Sequence, residues 1–142
     1  MDKAKELIKR FEGLRLKAYI CPAGKLTIGY GHVIKEHEPK EITLEQAERL
    51  LDIDCAVAMV RIRDLVKIKL SDNRMQALIS FVFNVGVGAF ASSTLLKKIN
   101  TADWNGAAKE FLRWDKARVN GQMKALPGLT KRRKAEMELF NS

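Results

Sequence analysis

The stretch from Asn73 to Ser93, "NRMQALISFVFNVGVGAFASS", constrains the fold of this chain more than any other. Apolar residues fill nearly every position of its middle, and a helix that is hydrophobic all round must be buried, in a protein core or in a bilayer. A bilayer span needs about 20 uninterrupted apolar residues. Here Asn84 and the glycines at 86 and 88 break the run, so it reads as a buried helix followed by a turn, with the rest of the chain packed around it.

Ser71 or Asp72 is placed to cap this helix, and Gly86 and Gly88 to end it. Upstream, "TLEQ" at Thr43 has the Thr-x-x-Gln form of a capping box. Ala47, Leu50, Leu51, Cys55, Ala58 and Met59 then share one face of a long helix reaching Leu65. The first segment, Lys3 to Glu12, carries Leu7, Ile8 and Phe11 at helical spacing behind Asp2 as N-cap, which sets Glu12 at the helix end. Between these helices, short apolar pieces flank the "CPAGK" turn and lead into "LTIGYGHV", the pattern of a small antiparallel hairpin.

Further helices are expected at "AFASSTLLKKIN", at "DWNGAAKEFLRW" and at "GLTKRRKAEMELF", the last preceded by Pro127. The expected class is α+β, mostly helical, with one small N-terminal hairpin. At 142 residues the chain suits one domain made of two lobes. The division expected is a small lobe at about 13–60 and a helical lobe at about 61–142 plus the N-terminal helix, with a cleft between them.

Charges are interleaved through "MDKAKELIKRFEG" with no apolar core, so this N-terminus is not a secretory signal peptide. Two cysteines leave the redox compartment open. Twenty-six Lys and Arg against seventeen Asp and Glu give a net charge of +9, which attracts any anionic polymer without naming one. The basic residues are dispersed apart from "KRRK" at Lys131 to Lys134, and no zinc-finger or RNA-recognition pattern accompanies them, so nucleic acid is not an expected partner.

Chemistry concentrates in "EGLRLKAYICPAGKLTIGYGHV", Glu12 to Val33. A glutamic acid at a cleft mouth serves as a general acid when desolvation holds its proton near neutral pH, whereas a helix-end Glu in solvent is the commoner case. Cys21 has three readings: a buried structural thiol, half of a disulfide with Cys55, or a group touching a reacting water or sugar. A Cys–His dyad with His32 lacks any supporting signature. Thr27 is β-branched on an expected strand and is uninformative alone. Gly29 and Gly31 permit close backbone approach within the strand region.

The combined pattern, Glu, eight residues, Cys, five residues, Thr, then "IGYGH", resembles the phage-type lysozymes, family 24 of the glycoside hydrolases. The resemblance continues through "FNVGVGAFASSTLLKKIN", Trp114 and "LPGLTKRRKAEMELF", and covers almost the whole chain. It puts Glu12, Cys21 and Thr27 in the catalytic positions, with the thiol where many relatives carry an aspartate. That substitution matters because an unperturbed thiol titrates at about 8.5 and is a poorer base than a carboxylate.

The resemblance implies a lysozyme-like fold and hydrolysis, with inversion, of the β-1,4 bond between N-acetylmuramic acid and N-acetylglucosamine in peptidoglycan. Glu12 would protonate the glycosidic oxygen while Thr27 and Cys21 hold the attacking water. A polarising role for the thiol, or a covalent glycosyl-thiol, are the other options. Phe83, Ser93 and Tyr30 would bind substrate, and His32, Gly29 and Gly31 would support the cleft. No metal or organic cofactor is implied. The expected setting is a monomer made in the host bacterial cytoplasm, released through a holin-made lesion, and acting on the wall in the periplasm. A Cys21–Cys55 disulfide would be inactivating. Lys131 to Lys134 would be a solvated helix face or an attraction to the anionic envelope, and Arg132 or Arg133 could pair with Glu12 across the cleft.

Overall fold

The computed structural model describes residues 1–142. Its first helix, α1 (Asp2–Glu12), buries Ala4 and Ile8. Asp2 is its first residue, not its cap: Met1 is the N-cap and offers no side-chain acceptor. One of the orphan first-turn donors is satisfied from outside the helix, because the Ala4 N–H donates to Oε1 of buried Gln76 at 2.9 Å.

The chain then forms β1 (Arg15–Ile20), β2 (Leu26–Gly29) and the short β3 (His32–Val33), an antiparallel sheet in that order. The expected hairpin is therefore extended by a third strand. Tyr19 pairs with Thr27 and Thr27 with Val33, so Thr27 lies mid-sheet. The "CPAGK" turn is closed by Cys21 N–H to the Lys25 carbonyl at 2.9 Å and Gly24 N–H to the Cys21 carbonyl at 2.8 Å.

Thr43 and Gln46 form the full capping box of α2 (Leu44–Leu65), which buries Ala47, Leu51, Cys55, Ala58 and Ile62 along one face. Ser71 caps α3 (Asp72–Val85), where every residue from Gln76 to Val82 is buried. This is the central helix. Gly86 ends it, whereas Gly88 lies inside the next helix, α4 (Val87–Ala91). The single helix expected at Ala89 to Asn100 is broken at Ser92 and Ser93, because Ser93 caps a separate α5 (Thr94–Asn100).

Asp103 caps α6 (Trp104–Phe111). A second hairpin follows, β4 (Lys116–Val119) and β5 (Gln122–Ala125), where helices alone were expected. Its two-residue turn, Asn120 and Gly121, has φ of 50° and 80°, the backbone that twisted hairpins require and that Asn-Gly supplies. The last helix, α7 (Pro127–Asn141), takes Pro127 at its first turn.

Two hydrophobic clusters result. The large one gathers α1, α3 to α7 and α2 from Leu51 onward, with Phe81 edge-on to Phe90, Phe111 and Trp114. The small one joins Ile28 of β2 to Ile42 and Ala47. Tyr30 packs against both. No helix is long and apolar enough to cross a membrane.

Candidate active site

Glu12 is the last residue of α1, so the helix fixes its backbone while its side chain reaches past the helix end. The chain returns against it at Gly31, between β2 and β3. Gly31 has φ of +77°, and a Cβ placed there would lie 2.8 Å from both Cδ and Oε1 of Glu12. Only glycine satisfies both the left-handed backbone and the missing volume. On its other side, Glu12 Oε2 accepts a hydrogen bond from Nη1 of Arg132 at 2.6 Å, a charge-assisted contact from α7. The Glu12 side chain keeps 21% exposure. Of the two arginines considered from sequence, Arg132 makes this pair and Arg133 turns inward.

Arg132 and Arg133 are both buried, while Lys131 and Lys134 are exposed. The "KRRK" run is thus not a solvated face throughout.

Cys21 begins the β1–β2 turn and is half-buried, with Thr27 buried beside it on β2. Burial pushes the Cys21 thiol up, but the backbone donors of Lys25 and Ala23 and the Thr27 hydroxyl outweigh it, and the thiol titrates below its ordinary value. With the thiol un-ionised, the one proton of the Thr27 hydroxyl goes to the Lys25 carbonyl at 2.9 Å. Cys55 is free as well, enclosed in the main core, and burial above all pushes its thiol up to about 12.

Tyr19, across the sheet from Thr27, was not singled out from sequence. Burial raises its phenol, and the charges of Glu12 and then Cys21 raise it further. Its signal is visible only afterwards: a Tyr two residues before the Cys on the strand facing Thr27.

His32 on β3 lies between two carboxylates, Nδ1 at 2.7 Å from Asp54 of α2 and Nε2 at 2.9 Å from Glu38. The Asp54 hydrogen bond holds the imidazole above its ordinary range against the opposing effect of burial, with Glu38 adding to it. The histidine therefore ties the sheet to α2.

Tyr30 spends its ring between the two clusters and donates its hydroxyl to Glu48 Oε1 at 3.1 Å, beneath the Lys9 ammonium. The Ser93 hydroxyl is likewise committed to backbone, donating to the Phe90 carbonyl at 2.7 Å and accepting from Leu96 N–H at 3.0 Å. Each hydroxyl has its one proton committed and could meet a ligand only as an acceptor. Phe83 is partly buried against the main core.

Residues 9–136 match the family model described as phage lysozyme. The chain is 50% identical over 141 residues to an endolysin of Acyrthosiphon pisum secondary endosymbiont phage 1, covering 99% of this chain and 97% of that one. It is 45% identical over 139 residues to an endolysin of Bacillus phage PZA, where it spans 96% of its own length and 52% of the relative's. Among solved structures, the muramidase domain of SpmX from Asticaccaulis excentricus superposes with a TM-score of 0.90 at 38% identity, covering 100% of this chain and 97% of that domain.

Proposed function

The chain belongs to the phage lysozyme family and is a glycoside hydrolase, a muramidase of the endolysin kind that acts on bacterial peptidoglycan; on that premise we propose that Glu12 is its general acid. The observation that carries the assignment is the double constraint on one carboxyl group. Oε2 is anchored by Arg132, and Oε1 packs against the Gly31 backbone, so the group has one defined orientation and one oxygen left to present a proton. A proton delivered from a fixed position to the glycosidic oxygen is what general acid catalysis requires.

The bond cleaved is the β-1,4 link from N-acetylmuramic acid to N-acetylglucosamine. An inverting glycosidase leaves room for a water opposite the acid, held by a second base. Here that place falls to the half-buried Cys21 thiol and the Thr27 hydroxyl. The lowered titration of Cys21 puts more of it in the thiolate form, the form that accepts from water. Tyr19 is paired with Thr27 across the sheet, and Phe83 offers an apolar surface to the sugars. The cleft divides a small lobe, about 13–60, from a helical lobe, about 61–142 with α1, and α2 contributes to both cores. The enzyme works as a monomer, is made in the host cytoplasm, and reaches the wall after holin-dependent release.

The test is reducing-end release from purified peptidoglycan by the wild type, Glu12→Gln and Cys21→Ser, with products identified by mass. The expected result is a loss of about 10²–10⁴-fold in kcat for Glu12→Gln and a smaller loss for Cys21→Ser. Turnover retained in Glu12→Gln would remove the acid assignment, and 1,6-anhydro products would replace hydrolysis by transglycosylation.

A further inference from the structure

The polar cluster behind Glu12 extends beyond the acid and its partner. Arg132 is only 3% exposed, and its remaining donors point inward: Nη2 to the Ser80 carbonyl at 3.2 Å and Nε to Glu136 Oε2 at 3.3 Å. Arg133 is fully buried. Its Nε lies 2.8 Å from Glu136 Oε1, its Nη2 donates to Glu136 Oε2 at 3.2 Å, and its guanidinium sits 5.0 Å from the Phe81 ring centre. The Ser80 hydroxyl, from α3, donates to Glu136 Oε2 at 2.6 Å. One carboxylate with no exposure is therefore enclosed by two guanidinium groups and a hydroxyl.

Buried ion clusters are weak sources of stability, since apolar residues of similar volume commonly do as well or better. Charge balance suggests a functional reason. Two buried cations, Arg132 and Arg133, face two anions, Glu136 and Glu12. When Glu12 takes up the proton it must deliver, Glu136 is the one anion left against both cations. Without Glu136, protonating Glu12 would leave two guanidinium groups uncompensated. Glu136 also grips Arg132 at Nε and so fixes the plane that aims Nη1 at Glu12. Burial pushes Glu136 upward and Arg133 down to about 10, the direction desolvation gives each, while the mutual pairing opposes both.

We infer that Glu136 is a positioning residue for the reaction, holding Arg132 in register with Glu12 and supplying the counter-charge that lets Glu12 carry a proton. This rests on the reading of Glu12 as the acid. The charged group in contact with Glu12 is Arg132 from α7; Arg133 of the same helix and Tyr19 of β1 also feel its charge. Those facing Glu136 are Arg132 and Arg133, with the Ser80 hydroxyl from α3.

The experiment uses the full chain carrying Glu136→Gln, which keeps the shape and removes the charge. The alkaline limb of its kcat profile should fall by about one pH unit, with KM little changed, and Glu136→Asp should restore most of the loss. A carboxyl ¹³C titration of Glu12 should shift the same way. That second readout needs no turnover, so it stays decisive even where Glu12 proves not to be the acid. If Glu136→Gln does not fold, Glu136→Asp, which keeps the charge but draws it back from Arg132, should shift the titration in the same direction by less. An unmoved limb and titration accompanied only by a lower Tm would overturn the inference and leave Glu136 a structural residue.

Discussion

Replacing Gly31 by Ala separates what places the acid from what merely holds the sheet. Two costs add. The backbone stands at φ +77°, where an L side chain costs about 1–2 kcal/mol; for a domain of this size that lowers Tm by about 3–8 °C. The new Cβ would also fall 2.8 Å from Cδ and Oε1 of Glu12 and 3.0 Å from its Cγ, where carbon contacts favour about 3.5–4.0 Å. The carboxyl must therefore retreat by about 0.7 Å or more. It is not free to do so cheaply, because Oε2 is held at 2.6 Å by an arginine that is itself buried. A displacement approaching 1 Å in a reacting group costs about 100-fold in rate. The expected outcome is thus a kcat near one-hundredth of wild type with KM changed little. Gly29→Ala is the internal control. It has φ of +66° and its Cβ would meet Ala47 and Ile42 at 3.5 Å, an ordinary contact, so it should lose a similar Tm and far less kcat. Reducing-end release and thermal melts on both variants decide the matter. Equal losses of kcat in the two, or a Gly31→Ala enzyme that melts early but turns over like wild type, would refute the packing of Glu12 on Gly31 as the device that positions it.

His32 makes stability depend on pH with a definite sign. Its folded-state value is raised by Asp54 and Glu38, so its contribution is complete below about pH 6.5, the unperturbed value, and fades as pH rises through the higher folded value. Asp54→Asn should therefore cost most stability in acid, and denaturant titrations should show its deficit shrinking toward pH 9; a deficit that grows with pH would contradict the assignment. The two thiols should differ as sharply in reactivity. In the native protein iodoacetamide should alkylate Cys21 alone, since Cys55 is enclosed and its thiol pushed up to about 12, with a second equivalent taken up only in denaturant. Native labelling at Cys55, located by peptide mapping, would show that the core opens around α2.

The parts of the fold that sequence discloses are those decided locally. The caps at Thr43 and Ser71 and the buried run of α3 depend on residues within a few positions of one another, and each is found where its spacing puts it. The second hairpin escaped because its strands, "KARV" and "QMKA", are polar and largely exposed, with no apolar alternation to compete with the helical segments around them. Its one clear mark was the Asn120–Gly121 pair. The break at Ser92 and Ser93 was missed in the same way, although serine favours a helix cap over a helix interior.

The site divides along the same line. The motif from Glu12 to Thr27 is contained in one short helix, one turn and one sheet, and a linear pattern conveys it. The electrostatics of Glu12 are not contained there. The partner of Glu12 lies 120 positions away on α7, and the two residues that orient that partner, Ser80 and Glu136, come from the central helix and from one turn further along α7. In the sequence, Lys131 to Lys134 is a run of charge that ordinarily means solvent. It becomes a wall behind Glu12 only because α7 docks against α3, turning Arg132 and Arg133 inward and leaving the flanking lysines outside. If Glu12 is the acid as proposed, substitutions in α7 should retune it while leaving the Glu–Cys–Thr motif untouched, and chains carrying an identical motif should then differ in pH profile.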